Sequence, residues 1–267
     1  MDDDQFRILL EHLQYSWSGY RKVRKGVKKR IQRHMQQQGC RNVMDYLKIL
    51  DLEPGTRHEC ELLMTVSISR FFRDRWLWEM LKSRWLPDMI ANDPPGLKVW
   101  SAGCACGEEA YSFKIIWQQL GKQFEHLPAL DLLATDRHPK YLERARSGIY
   151  NRSCLKEAAP DWREIYFESR KGSRQYAIKD HLKSRIRWEI HHLSTDPPGR
   201  DFDIIFLRNN VLTYYRKEAQ EKALTGILNS LLPGGILIIG CHEALPFQPQ
   251  SLRPMADLSY VFQNWLP

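Results

Sequence analysis

The chain has 267 residues, and 40 lysines and arginines stand against 32 aspartates and glutamates, so the formal net charge at pH 7 is +8. A hydrophobic content of 43% with 27% charged residues excludes a disordered or fibrous protein, and the length suits one large domain or two modest ones. The excess charge is local: residues 20–41 carry nine basic residues and no acidic one, which leaves 31 basic and 32 acidic residues elsewhere.

The composition predicts a protein of the reducing cytoplasm. No apolar run in the sequence reaches the roughly 18 residues of a membrane-spanning helix, so we expect no membrane insertion. The acidic residues 1–5 lack the basic and apolar regions of a signal peptide. The six cysteines match neither a disulfide framework nor the usual spacing of a zinc site, and we expect no metal.

Residues 1–88 are predicted to form a helical domain, because apolar residues recur at helical spacing. In the basic segment, Val23, Val27, Ile31 and Met35 recur at every fourth position, which predicts a helix with one apolar and one cationic face. The turn-forming residues 92–96 indicate a domain boundary. The predicted helices are 6–13, the basic helix from Tyr20, 43–50, 58–64 and 76–85.

Residues 89–267 are predicted to form an α/β domain, because short strands alternate with helices. A small antiparallel insert is expected at about 164–185. The predicted strands are 97–100, 130–135, 186–190, 203–207, 236–240 and an edge strand at 260–265. The predicted helices are 108–120, 139–147 and 217–232, the last ending before the turn at 233–235.

The most informative segment is a strand, a glycine-containing turn, a helix and an acidic residue that ends the next strand. Gly103 and Gly107 let a ligand approach the backbone, and Asp136 can accept hydrogen bonds from ribose hydroxyls. The spacing is neither G-x-G-x-x-G nor a phosphate-binding loop, and Glu108 and Glu109 would repel a pyrophosphate. An adenosine that carries a sulfonium, S-adenosylmethionine, fits this pattern; a tight turn without a ligand is the alternative.

Residues 101–112, SAGCACGEEAYS, resemble the signature SAGCSTGEEPYS of the CheR family, the chemotaxis receptor glutamate O-methyltransferases. Other segments resemble family motifs in the family's order along the chain, and together they cover nearly all of it. The resemblance implies a class I, Rossmann-like methyltransferase with a mixed sheet, a small antiparallel β-insert and an all-helical N-terminal domain. The further matching segments are RFFR at 70–73, ATD at 134–136, ARSGIY at 145–150, FLRN at 206–209 and PGGIL at 233–237.

The resemblance also implies roles for individual residues. Arg73, Arg208 and Tyr214 are expected to serve catalysis at the reactive end of S-adenosylmethionine. The segment from Arg208 is one residue longer than its family counterpart, so Tyr215 is the alternative to Tyr214. The residues expected to bind the cofactor are Ser67, Ser69, Arg73, Gly103, Glu109, Asp136, His192, Leu193, Arg208 and Asn209.

The chain departs from the family at several cofactor positions. Ala105 and Cys106 replace the Ser and Thr of the signature, and Ala110 replaces its Pro. His192 stands in the place of an Asn before Leu193, and GCHE at residues 240–243 stands for GxSE. These changes concern the cofactor site and leave the expected fold intact.

We expect the chain to be a monomer that transfers methyl groups from S-adenosylmethionine to glutamates of a chemoreceptor-like protein. Two alternatives stay open: a cofactor-binding interaction module that has lost catalysis, and a methyltransferase of this fold that acts on another protein or on RNA. The basic helix has three interpretations, namely a solvated face, a docking surface for the acidic helical bundle of a chemoreceptor, and a nucleic-acid contact. The resemblance favours the receptor, and few aromatic residues interleave with the basic ones, as RNA binding would require.

Overall fold

The computed structural model describes residues 1–67, 69–170 and 172–265. Lys171 of the predicted insert, and Leu266 and Pro267 at the end of the predicted α/β domain, lie outside the described residues.

Five helices form the N-terminal region, and their apolar faces pack into one buried cluster that extends from Phe6 to Met64. The predicted basic helix is confirmed from Arg24 onward, where Val27, Ile31 and Met35 are buried on its inner face. Its predicted start at Tyr20 is wrong, because residues 21–23 form a turn after a separate short helix. The five helices confirm the predicted helical N-terminal region. The helices are α1 (Asp3–His12), α2 (Trp17–Tyr20), α3 (Arg24–Gln37), α4 (Val43–Leu52) and α5 (Pro54–Met64).

A second helical stretch leads into the sheet. Its buried side chains, from Phe71 to Ile90, belong to the hydrophobic cluster of the α/β region and not to the N-terminal cluster. Residues 71–90 therefore pack with the α/β region, and the division after residue 88 stays a prediction of the sequence pattern. The stretch consists of α6 (Arg75–Met80), a π-helical turn (Leu81–Trp85) and α7 (Leu86–Ala91).

Seven strands form a mixed sheet in the order β6-β2-β1-β7-β8-β10-β9, and three more form a small antiparallel sheet in the order β3-β5-β4. This confirms the predicted mixed sheet and small insert. The strands are β1 (Gly96–Ala102), β2 (Ala129–Asp136), β3 (Ile149–Asn151), β4 (Phe167–Ser169), β5 (Gln175–Ile178), β6 (Ile186–Ile190), β7 (Phe202–Leu207), β8 (Leu231–Ile239), β9 (Leu252–Met255) and β10 (Leu258–Asn264). The remaining helices are α8 (Glu108–Leu120), α9 (Pro139–Ser147), α10 (Pro160–Tyr166), α11 (Asp180–Lys183), α12 (Val211–Tyr214) and α13 (Lys217–Leu228).

The predicted helix at 217–232 is too long, because α13 ends at Leu228 and β8 begins at Leu231. Tertiary hydrogen bonds hold this segment extended: the Asn264 side chain donates to the carbonyl oxygens of Leu231 and Leu232, both at 3.1 Å. The turn residues 233–235 thus lie inside a strand. β3 and β9 were not predicted, and both are short. β3 gains its hydrogen bonds from β5, which lies beyond α10 and β4 in the chain, whereas β9 pairs with β10 across the turn at residues 256–257.

The sheet topology fixes where a ligand can bind. β1 pairs in parallel with β2 on one side and with β7 on the other. The connections leave β1 in opposite directions, so a crevice opens at the carboxyl ends of these strands. Asp136 ends β2, and Arg208 directly follows β7.

Candidate active site

One cavity at the carboxyl ends of β1, β2 and β7 is lined by all eleven residues that the resemblance links to the cofactor or to catalysis. Residues from 15 to 215 line it, so both the helical and the α/β regions form its wall. The lining residues that the sequence did not predict as site residues include Tyr15, Tyr20, Arg137 and Asn210.

The turn between β1 and α8 brings backbone close to side chains from other elements. Gly103 has a φ of 83°, and a Cβ there would lie 2.4 Å from Nδ2 of Asn210. Gly107 has a φ of 88°, and a Cβ there would lie 2.7 Å from the Trp188 ring. Only glycine combines this backbone conformation with these contacts, so both positions of the motif are structurally required.

Asp136 presents its carboxylate to the cavity from the end of β2. Its Oδ2 accepts a hydrogen bond of 2.9 Å from the backbone N–H of Ala105, and its Oδ1 accepts one of 2.8 Å from that of His138. Burial raises the pKa of the Asp136 carboxyl, and the two backbone donors oppose that rise. A carboxylate has about four acceptor positions, so two remain to accept hydroxyl groups of a ligand.

Arg208 lies between two acidic side chains. Its guanidinium donates to Glu109 Oε2 at 2.8 Å and to Asp74 Oδ2 at 2.6 Å, and its side chain is only 4% exposed. Ser101 donates to the other oxygen of Glu109 at 2.7 Å. The sequence predicts Arg208 as a group that orients a ligand carboxylate, but the structure turns it toward these two protein carboxylates. The trio carries one net negative charge, which suits a cationic group in the cavity.

Arg73 lies in a turn that hydrogen bonds to other parts of the chain hold in place. Its neighbours Phe72 and Asp74 have φ values of 56° and 61°, in the left-handed region that costs energy for residues other than glycine. The Phe72 N–H donates to Ser112 Oγ at 2.9 Å, and the Trp78 indole N–H donates to the Arg73 carbonyl oxygen at 2.8 Å. The side chain of Arg73 lines the cavity.

The two candidate tyrosines differ in their partners. The Tyr215 hydroxyl accepts a hydrogen bond of 3.1 Å from Arg137. The Tyr214 hydroxyl makes no hydrogen bond within the described part of the chain, and its ring lies 5.0 Å from that of Tyr20. Burial raises the pKa of Tyr214, and the charge of Arg73 opposes the rise, so these two side chains are neighbours. The geometry therefore favours Tyr214 as the hydroxyl that can meet a ligand.

Glu243 holds the segment that carries Tyr214 and was not among the predicted site residues. Its buried Oε2 accepts hydrogen bonds from the backbone N–H groups of Asn209 at 2.8 Å and Gly240 at 2.7 Å. Its Oε1 accepts from the hydroxyl of Thr213. Glu243 thereby ties the loop after β8 to the segment that carries Tyr214. The GxSE motif contained this signal, because its last residue is this glutamate.

The remaining predicted residues also line the cavity. Ser67 contacts the Cys106 thiol, and Ser69 contacts the buried carboxyl of Glu108. His192 and Leu193 follow β6. Burial, together with the nearby charge of Arg137, lowers the pKa of His192 to about 4. The imidazole is therefore neutral at pH 7.

Within residues 1–67, 69–170 and 172–265, no group of three or more His, Cys, Asp or Glu side chains could hold a metal ion. The helices described there are also too short or too polar to cross a membrane.

The family model described as CheR methyltransferase, SAM binding domain, matches residues 67–261. The chain is 32% identical over 225 residues to chemotaxis protein methyltransferase 1 of Pseudomonas aeruginosa, which covers 82% of this chain and 81% of that protein. It is 31% identical over 255 residues to chemotaxis protein methyltransferase Cher2 of Pseudomonas putida, covering 92% and 90%. It is 33% identical over 224 residues to an uncharacterized 104.1 kDa protein of Rhodobacter capsulatus, covering 82% of this chain but only 23% of that protein.

Proposed function

Because the chain belongs to the CheR methyltransferase family, we propose that it converts glutamate side chains of a chemoreceptor-like protein into methyl esters. The chain is an S-adenosylmethionine-dependent protein methyltransferase. The observation that carries the proposal about its substrate is the cavity itself, which combines acidic groups for a cationic cofactor with Arg73 and Tyr214 for a carboxylate. We place this reaction in the cytoplasm and expect the chain to act as a monomer.

The described residues fit the cofactor. Asp136 has acceptor positions left for ribose hydroxyls, and the backbone at Gly103 has no side chain to block a ligand. Glu109, held by Arg208 and Ser101, can accept from the ammonium group of the methionine end. When bound, S-adenosylmethionine supplies a methyl group activated by its sulfonium charge.

The residues of this chain have to orient a carboxylate and exclude water. A glutamate is already ionised at pH 7, so the reaction needs no strong general base. Arg73 can pair with the substrate carboxylate, and the Tyr214 hydroxyl can donate a hydrogen bond to it. Positioning and removal of water from the nucleophile can each lower the barrier by several kcal/mol. Arg208 supports this arrangement indirectly, because it fixes Glu109 and Asp74.

The basic residues around α3 divide into two groups. Arg24 and Lys28 pair with Asp3, at 3.2 and 2.6 Å, and Arg30 donates to the carbonyl oxygens of Leu63 and Thr65, both at 2.9 Å. These three side chains stabilise the helical domain. The exposed basic residues on or just before α3 are Arg21, Lys22, Lys25, Lys29 and Arg33.

We propose that these exposed side chains, the cationic stripe, dock the acidic helical bundle of a chemoreceptor. Lys25, Lys29 and Arg33 recur at every fourth position of α3, so they share one face of the helix, and Arg21 and Lys22 lie in the turn just before it. Exposed ion pairs contribute only about 0.2–1 kcal/mol each. The stripe should therefore raise the association rate and set orientation more than it gives tight binding.

The test is transfer of labelled methyl groups from S-adenosylmethionine to cytosolic chemoreceptor fragments, followed by alkaline treatment. Release of volatile methanol is expected, because alkali hydrolyses carboxyl esters. Label that resists alkali would contradict the proposal and indicate N-methylation or an RNA substrate. No transfer, together with cofactor binding in a calorimetric titration, would indicate an interaction module that has lost catalysis.

A further inference from the structure

Arg137 is a buried arginine in the cavity wall to which neither the sequence nor the proposed reaction assigns a role. Its guanidinium donates to the hydroxyls of Tyr15 at 3.0 Å and Tyr215 at 3.1 Å, and it pairs with the carboxylate of Glu61. Its side chain is 13% exposed. The three partners come from the loop after α1, the end of α12 and the helix α5. One side chain of the α/β domain thus contacts two elements of the helical domain and the segment that carries Tyr214.

Backbone contacts join the same two regions. The Ser16 N–H donates to the Tyr214 carbonyl oxygen at 2.8 Å, and the Arg216 N–H donates to the Gln14 carbonyl oxygen at 3.0 Å. Tyr15 and Tyr215 form an isolated antiparallel bridge, with their rings 4.7 Å apart. The helical domain is therefore hydrogen-bonded directly to the backbone of Tyr214 and of Arg216, on both sides of Tyr215.

The approach between the two regions is very close at Gly19. A Cβ at this position would lie only 2.1 Å from the Thr213 carbonyl oxygen, so α2 and α12 touch backbone to backbone. Such an approach allows little displacement without breaking the neighbouring hydrogen bonds. The helical domain thus forms part of the wall that places Tyr214.

An arginine that is buried between two surfaces loses favourable hydration free energy. Apolar side chains of similar volume often stabilise a protein as well as or better than a buried ion pair. The Nε of Arg137 is moreover buried without a hydrogen-bond partner among the described residues. The guanidinium holds several N–H donors in one fixed plane and can therefore reach three acceptors at once. A lysine ammonium has no such fixed plane of donors. Geometry, more than stability, accounts for an arginine here.

We propose that Arg137 is a positioning residue for methyl transfer, which acts by fixing Tyr215 and the helical domain so that Tyr214 stays at the reactive end of the cavity. The inference rests on the proposed function, because it assigns Arg137 to that same reaction. A displacement of about 1 Å in a reacting geometry can lower the rate about a hundredfold. Loss of Arg137 should therefore lower kcat while the cofactor still binds.

The test compares Arg137→Met, Arg137→Lys and Tyr215→Phe with wild type in the full chain. Three readouts are needed: kcat and KM for a cytosolic chemoreceptor fragment, the calorimetric Kd of S-adenosylmethionine, and hydrogen exchange of the Ser16 and Arg216 amides. Arg187→Met is the matched control, since Arg187 is 51% exposed and pairs with Asp131 on the surface.

For Arg137→Met we expect kcat to fall about a hundredfold and the cofactor Kd to change less than about threefold. The two cross-domain amides should exchange at least about tenfold faster, because their hydrogen bonds open more often. The kcat and the amide exchange rates of Arg137→Lys and Tyr215→Phe should lie between those of Arg137→Met and wild type, because each variant keeps part of the hydrogen-bond network. Arg187→Met should match wild type in all three readouts.

Unchanged kcat, or amide protection equal to wild type, would overturn the proposal. A loss of cofactor affinity as large as the loss of kcat would also overturn it, because Arg137 would then serve cofactor binding. If Arg137→Met does not fold, the kcat, cofactor Kd and amide exchange of Arg137→Lys and Tyr215→Phe test the proposal by the same criteria. If wild type methylates no receptor fragment, the proposed function fails, but the exchange of Ser16 and Arg216 still decides whether Arg137 holds the two regions together.

Discussion

The arginines of the cavity wall and the basic residues of the cationic stripe differ in how much water surrounds them. Arg208 is 4% exposed and lies between two carboxylates, and Arg137 is 13% exposed and has three partners. Lys25 and Lys29 are exposed on α3. The same charge therefore has different consequences in the two regions, because a buried charge interacts strongly with its partners and an exposed one is screened.

The basic residues behind the net charge of +8 therefore have different effects in the two regions. In the cavity wall, each guanidinium fixes the position of particular side chains, and its removal would leave buried carboxylates or hydroxyls without a partner. On α3, each charge adds to a field that acts on an approaching acidic surface. Buried cations should therefore control stability and turnover, whereas exposed cations should control association.

The largest difference in stability between a buried and an exposed arginine is expected for Arg208→Met. This change leaves the partly buried Glu109 and Asp74 without their cation, and we expect the free energy of unfolding to fall by about 3 kcal/mol. The matched change Arg187→Met removes an exposed pair and should cost no more than about 1 kcal/mol. Urea unfolding of both variants measures the difference. Equal losses would show that burial does not separate the two classes of arginine.

Arg73→Ala tests the group assigned to the substrate carboxylate. We expect kcat/KM to fall about a hundred- to a thousandfold, because a charge aimed at the reacting carboxylate is lost. Arg75→Ala is the control, since Arg75 lies two residues later in α6, is exposed and does not line the cavity. Full activity of Arg73→Ala in the methyl-transfer assay would contradict this placement of the site.

His192 should make the folded protein sensitive to acid. Burial lowers the pKa of His192 to about 4 in the folded state, whereas the unfolded chain takes up this proton near the ordinary value of 6.5. Between about pH 6.5 and 4 the unfolded state therefore binds more protons, and stability falls as the pH falls. Allowing for partial exposure, we expect a loss of about 2 kcal/mol from this residue.

The matched variant is His192→Asn, which introduces the residue that the family resemblance places there. Urea unfolding at about pH 7 and about pH 4.5 should show a smaller loss of stability in the variant than in wild type. An identical pH dependence in the two proteins would show that His192 is not the group responsible.

The smallest effects belong to the cationic stripe. Lys25→Glu and Lys29→Glu should each raise the KM for a chemoreceptor fragment about two- to fivefold at low salt, with little change in kcat. Raising salt from about 50 to about 300 mM should raise the KM of wild type toward that of the variants. Lys122→Glu, which makes the same charge change in an exposed residue just after α8, should leave KM unchanged. A salt-independent KM would contradict the docking role.

Local patterns predicted the elements that depend on local chemistry. The four-residue spacing of Val27, Ile31 and Met35 predicted α3, and the glycine motif predicted the turn from β1 to α8. The end of α13 was wrong because the Asn264 side chain and the neighbouring strands hold residues 231–232 extended, and no local signal reports a partner that far along the chain. The short strand β3 was missed for the same reason, because its partner β5 lies beyond α10 and β4 in the chain.

The sequence by itself determined the fold class, the cofactor and eleven of the residues that line the cavity, because each of these depends on motifs of a few adjacent residues. Only the tertiary structure decided what those residues do to one another. Arg208 and Asp74 are 134 residues apart in the sequence, and Arg137 and Tyr15 are 122 apart. The partner of a buried charge depends on which side chains the completed fold brings within about 3 Å, and such a contact leaves no periodicity in the sequence.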